Sequence, residues 1–130
     1  MSYTIKNIRE VEDMAPRFGF EEVQEARFPY RALDSETIGM AFHRVKPDCR
    51  QAFAHRHEQA EEIYLVLSGT GRMKLDDDTI EIGPMDAIRV APPVARAFEA
   101  GPEGLELVAF GPHHEKDGEI LTEDFWAQSA

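Results

Sequence analysis

The chain has a single cysteine, Cys49, in 130 residues. One thiol cannot close an intramolecular disulfide, so a disulfide-stapled scaffold is excluded. Long apolar runs are also missing, and none approaches the roughly 20 residues of a membrane-spanning helix. Basic residues are scarce: 14 Lys and Arg stand against 25 Asp and Glu, a formal net charge of -11. That balance argues against a nucleic-acid backbone or an anionic membrane surface as partner, since either needs a basic footprint. Residues 1–10 carry charges and no apolar stretch, so no secretory signal is expected and a cytoplasmic setting is. There is no sustained helical periodicity. There is also no G-x-G-x-x-G, Walker-type loop, C-x-x-C or G-x-S-x-G pattern, which leaves dinucleotide, P-loop and hydrolase readings unsupported. The acid clusters Glu21-Glu22 and Asp76-Asp77-Asp78 lack the spacing of a calcium loop and read as solvated turns.

What is present is a series of short β-forming stretches between Gly, Pro and Asp turns. The length suits one domain. Residues 1–36 are irregular. Tyr3, Ile5 and Ile8 suggest a short strand or arm, and Pro16, Gly19 and Pro29 break up the rest, so an extended or partly helical N-terminal arm is expected. Strands are expected at 37–45, 51–57, 62–67, 71–75, 79–82, 87–90, 94–99 and 105–110. Ser68-Gly69, Gly83-Pro84, Pro92-Pro93 and Gly101-Pro102 punctuate them. This pattern predicts an all-β sandwich or barrel with its core over 37–110. The tail, 111–130, is polar. Phe125-Trp126 are expected to cap the barrel or a subunit contact, with a one-turn helix around 123–127.

The chemically informative run is 55–62, His55-Arg56-His57-Glu58-Gln59-Ala60-Glu61-Glu62. In an extended chain residues two apart share a face, so His55 and His57 can put two imidazoles into one space. Glu62 opens the next strand. Two imidazoles and a carboxylate suit Mn(II), Fe(II), Co(II), Ni(II) or Zn(II), with positions left open for water or substrate. The bland alternative is a pair of solvated histidines in a polar loop. Glu61 competes for the carboxylate role, but adjacent residues of a strand face opposite ways, so only one of the two can point inward without a bulge.

The spacing His55-x-His57-x4-Glu62-x6-Gly69, with the strand-like Ile63-Tyr64-Leu65-Val66-Leu67 between, resembles the first motif of the cupin superfamily. The resemblance covers about 37–110. It implies a double-stranded β-helix (jelly-roll) barrel, a divalent transition metal on His55, His57 and Glu62, and a homodimer. The arm and Phe125-Trp126 would be natural interface pieces. The second motif is degraded over 85–96. Met85 stands where a glycine is usual, Pro93 at the turn glycine, and Arg96 at the fourth ligand's histidine. A guanidinium has no acceptor atom and cannot replace an imidazole as ligand. Arg96 then either faces the pocket and binds an anion or pairs structurally with an acid such as Glu62.

Tyr64 and Phe98 are candidates for contact with a ligand, and with Val66, Met73, Leu75 and Phe110 they are equally candidates for core. His43 is a possible substitute ligand if it faces inward. His113-His114 reads as a surface loop, and Cys49 as a bystander. The expected function is a metal-dependent enzyme, oxygenase-like or isomerase-like, acting on a small organic acid, an anionic ligand. The rival is a non-enzymatic ligand-binding or sensing module with a degenerate metal site.

Overall fold

The computed structural model describes residues 2–121 and 124–128. Eight strands form one curled antiparallel sheet: β1 (Gln24–Arg27), β2 (Ile38–Val45), β3 (Ala54–His57), β4 (Glu62–Leu75), β5 (Asp78–Ile82), β6 (Ala87–Val90), β7 (Arg96–Pro112) and β8 (Gly118–Leu121). The order β1-β2-β7-β3-β8 makes up one path, while β4 pairs with β5, β6 and β7. This is the all-β jelly-roll barrel that the strand pattern and the motif resemblance imply.

Two pairs of expected strands merge. Ser68-Gly69 does not end β4, which runs for 14 residues, and 94–99 and 105–110 join into the 17-residue β7. The register between β4 and β7 slips at Val66/Ser68 and Gly69/Gly71, which marks β-bulges. Gly69 has φ of 80°, and a Cβ there would sit 2.0 Å from the Gly104 carbonyl oxygen. Only glycine allows the strand to bend through so close an approach rather than stop.

Along β4, Tyr64 and Val66 point inward while Ile63 and Leu67 point out, the period-two pattern of a half-buried strand. They join Val45, Met73, Val90, Phe98, Leu105 and Leu107 in the main core. A smaller cluster of Ala54, Ala95, Ala97 and Phe125 closes one end, with Trp126 packed against it. Phe125 therefore caps the barrel. The ammonium of the fully buried Lys74 donates to the Phe125 carbonyl and lies 4.4 Å from its ring centroid. A 3-10 turn spans Trp126–Gln128, while Glu123, where the one-turn helix was expected to begin, lies outside the described residues.

The N-terminal arm packs on the sheet through β1, which pairs with β2, and through the 3-10 turn at Ala15–Phe18, whose Ala15 is buried; a second 3-10 turn, Ile8–Glu10, buries no residue. Tyr3 and Ile5 belong to no strand and are exposed. The tail carries a strand its polar composition did not signal: β8 pairs with β3 and places Gly118 opposite His57. Among the described residues no helix is long and apolar enough to cross a membrane.

Candidate metal centre and cavity

The short strand β3 presents His55 and His57 to the barrel interior, with ring centroids 5.2 Å apart and nearly perpendicular. The chain turns through 58–61 and returns as β4, whose first residue is Glu62. One ligand atom from each of His55, His57 and Glu62 lies within 4.8 Å of the others, so the group can hold a metal ion. Glu61 points away and its carboxylate meets Arg89 at 3.1 Å on the outer surface. The alternation of one strand thus puts Glu62, not Glu61, among the histidines.

Four groups converge on Glu62 Oε1. The Tyr64 hydroxyl donates to it at 2.6 Å and Arg96 Nη1 at 3.2 Å, while Nε2 of His57 and of His55 lie at 3.1 and 3.5 Å. Burial pushes the Glu62 carboxyl upward, but the contacts with His55, His57 and Tyr64 outweigh it and hold the group well below the usual carboxylate range. Glu62 is ionised at neutral pH. Contact with that charge raises His57 against the opposing effect of burial. Burial and the same charge push the Tyr64 phenol well up, so it stays a hydrogen-bond donor.

Asp117 completes the arrangement. Its Oδ2 lies 3.1 Å from His57 Nδ1, and its two oxygens accept backbone N–H groups of Glu58, Gln59 and Ala60 at 3.1, 2.7 and 3.0 Å. Burial pushes this carboxyl upward, and the backbone donors and the His57 charge more than offset it, leaving it below its ordinary value. One carboxylate therefore shapes the turn between the two ligand-bearing strands and orients His57. With Nδ1 held as the donor to Asp117, the lone pair of neutral His57 is on Nε2. That nitrogen is buried and has no aligned hydrogen-bond partner. A histidine oriented by one carboxylate, with its second nitrogen turned toward another at 3.1 Å, suits a metal ligand. The donor set of two imidazoles and a carboxylate fits a divalent transition metal.

Sequence reasoning passes over Asp117. Its available signal is the Asp-Gly pair at 117–118, a turn-forming dipeptide in an otherwise featureless tail.

Arg96 is fully buried. It donates to Glu62 through Nη1 and to the Ala91 carbonyl through Nη2 at 2.9 Å. It stands behind the glutamate and does not line the cavity. Phe98 does not line it either, and packs edge-on against Tyr64 with centroids 5.1 Å apart. Tyr64 lines the cavity. So does His43, which is outside the three-residue cluster. Burial, aided by the nearby His55, lowers His43 to about 4, so it is neutral. Cys49 packs against the core as a free thiol. His113 and His114 form an exposed loop at the cavity rim, where His113 stacks on Tyr30 at 3.9 Å.

The cavity holds about 600 Å³. Its floor is His55, His57, Glu62 and Tyr64; Ala41 and Ala109 contribute from β2 and β7. Met14, Phe18, Ala26, Phe28 and Tyr30 bring the N-terminal arm into its wall. The arm is thus part of the site.

A family model described as "Cupin domain" matches residues 41–110, more than half of the chain. The chain belongs to the cupin family. It is 31% identical over 80 residues to the uncharacterized protein MJ1618 of Methanocaldococcus jannaschii, covering 59% of this chain and 64% of that one. The chain thus spans a little under two thirds of that relative's length. Among solved structures it resembles the polyketide cyclase RemF of Streptomyces resistomycificus, with a TM-score of 0.72 and 20% identity, covering 95% of this chain and 89% of the cyclase. It also resembles the oxalate decarboxylase of Bacillus subtilis, with a TM-score of 0.73 and 21% identity over 98% of this chain and 35% of the decarboxylase. At these identities the likeness is one of fold.

Proposed function

We propose that the chain is a metal-dependent enzyme that transforms a small molecule inside the barrel, by an oxygenase-like or isomerase-like reaction. The observation that carries this reading is the convergence of His55, His57 and Glu62 at the floor of a ligand-sized cavity, with His57 oriented by Asp117. When bound, a divalent metal would supply Lewis acidity at a substrate oxygen. The chain's own residues do the rest. Asp117 fixes the tautomer of His57, Tyr64 and Arg96 hold Glu62 in its charged form, and the apolar walls keep water away from the reacting end.

The two solved relatives named above support an enzymatic use of this barrel, one being a cyclase and the other a decarboxylase by name. Pairing with a second copy is part of the same reading. Ile63 and Phe110 stand directly opposite one another on the outer face of β4 and β7, and each is more than a third exposed.

One observation favours the rival, a binding module without a catalytic metal: the cation of Arg96 sits 3.2 Å from the carboxylate that a metal would need. Metal analysis of protein purified without added metal, followed by calorimetric titration with Mn(II), Fe(II), Co(II), Ni(II) and Zn(II), separates the two. Stoichiometric uptake that disappears in His57→Ala, with the β-type circular dichroism unchanged, is the expected result. Identical behaviour of wild type and His57→Ala toward every metal would end the metallo-enzyme reading.

A further inference from the structure

We propose that the ligand of this cavity is an uncharged, largely apolar ring compound that turns one oxygen toward His55, His57 and Glu62, and that carboxylates and phosphates are turned away. The placement of the oxygen rests on the metal-centre reading; the class of ligand rests on the walls alone.

The walls carry no lysine or arginine among the described residues. Arg96, the nearest candidate to receive an anion, is committed to Glu62 and to the Ala91 carbonyl and has no exposed surface. The carboxylates that line the space are Glu62 and Asp117, which flank His57, and Glu119, which is paired with Arg56 at 2.8 Å. A carboxylate entering here would leave water for a negative field and find no fixed cation, a large desolvation cost without compensation. A bound divalent metal would be partly neutralised by Glu62, and the remaining oxygen of an anion would still face apolar carbon.

The remaining surface suits rings. Phe28 and Phe53 stand in the wall with the small side chains of Ala26, Ala41 and Ala109. Phe53 is itself braced by Phe20, with centroids 5.4 Å apart. Of the polar wall residues, Gln24 and Gln51 already spend their side-chain oxygens on the backbone N–H groups of Ala52 and Phe98. His43 is braced edge-on against Phe28 and offers a neutral imidazole, suited to an uncharged polar substituent. About 600 Å³ accommodates a molecule of two or three fused rings.

The test uses 1-naphthol and 1-naphthoate, probes that share a ring system and differ in charge at pH 7. Each is titrated calorimetrically into chelator-treated protein and into Mn(II)-loaded protein. The expected result is that 1-naphthol binds chelated protein about tenfold or more tightly than 1-naphthoate does, since burying an unpaired carboxylate is costly. Phe53→Ser should weaken 1-naphthol binding about tenfold through lost apolar contact. If that variant folds poorly, Phe28→Ser at the half-exposed rim should do the same. Ile120→Lys, at an exposed position of the wall, should restore 1-naphthoate binding by supplying a cation. Equal or tighter binding of 1-naphthoate by the wild type overturns the proposal, and so does failure of both probes to bind at millimolar concentration. Metal uptake is measured separately without probe. Preference for 1-naphthol with no metal uptake leaves the ligand class standing and removes the metal, and metal uptake with preference for 1-naphthoate does the reverse.

Discussion

His57 and Asp117 meet at 3.1 Å across sixty positions of sequence, and the same carboxylate ties down three consecutive backbone N–H groups of the turn that follows His57. Orientation of the His57 ring and the shape of the turn therefore depend on one side chain. Asp117→Asn keeps the size of the group but loses its charge, and should weaken metal binding by about 10–100-fold. Asp117→Ala leaves the buried N–H of Ala60 unmet and should in addition cost about 1–3 kcal/mol of stability. Calorimetric metal titration and urea melts of the two variants, side by side, check both effects.

Arg96 and Glu62 form a pair that a metal must share. Arg96→His places an imidazole where the family motif has its fourth ligand and removes a competing cation, so metal affinity should rise. Glu62→Ala should abolish metal uptake and also destabilise the fold by about 3–5 kcal/mol, because it strands the buried guanidinium. Glu61→Ala, on the outer face, should change neither quantity. If Arg96→His binds metal no more tightly than wild type, the position of the guanidinium is not the ligand's.

Acid should weaken the fold through His43. Burial first, then the charge of His55, lowers this imidazole to about 4, while the unfolded chain titrates near 6.5. As pH falls between those values the unfolded state takes up a proton that the folded state refuses. Stability from this group is complete above pH 6.5 and lost as pH falls toward 4, by on the order of 3 kcal/mol. His57 has the opposite sign: its raised value favours the folded state below pH 6.5 and gives that up as pH rises. Urea melts across the acid range should show the His43 loss reduced in His43→Gln.

Met85 occupies the place of a motif glycine and keeps the glycine's conformation, with φ of 72°. Its side chain is 76% exposed, so no packing offsets the strain. Met85→Gly should stabilise the protein by about 0.5–1 kcal/mol, read as a rise in melting temperature with unchanged metal binding.

The outer face of the sheet and the C-terminal cap can be told apart as sources of assembly. If the proposed pairing through this face holds, wild type should scatter as a dimer at micromolar concentration and Ile63→Lys combined with Phe110→Lys should scatter as a monomer. Phe125→Ala should leave the dimer intact and cost about 3–5 kcal/mol of stability, because that ring is buried in the end cluster.

The legible parts of this protein are those whose causes are local. β6 is bracketed by Gly83-Pro84 and Pro92-Pro93, and its bounds, Ala87–Val90, follow from those breakers. The three candidate ligands fall within eight residues, so an i,i+2 pair and the next strand's first residue are enough to gather them. The bulge at Gly69 is not legible as a continuation, because the Gly104 backbone that it approaches lies on another strand. Asp117 is hidden for the same reason, since its role exists only once β8 lies beside β3. Arg96 reads as an intruder at a ligand position. Its buried commitment to Glu62 and the Ala91 carbonyl is set by three-dimensional neighbours, and so is a wall without lysine or arginine among the described residues.

The pairing of β3 with β8 also orders events in time. A growing chain exposes His55, His57 and Glu62 long before Asp117 has been added. Until the later strand docks, the imidazole of His57 turns freely and the loop after it has no anchor. An ion captured at that stage would be held by loosely arranged groups and readily exchanged. On the metal-centre reading the site's geometry would be completed only when β8 docks beside β3, so conditions prevailing then, rather than during early synthesis, would bear on which ion is retained.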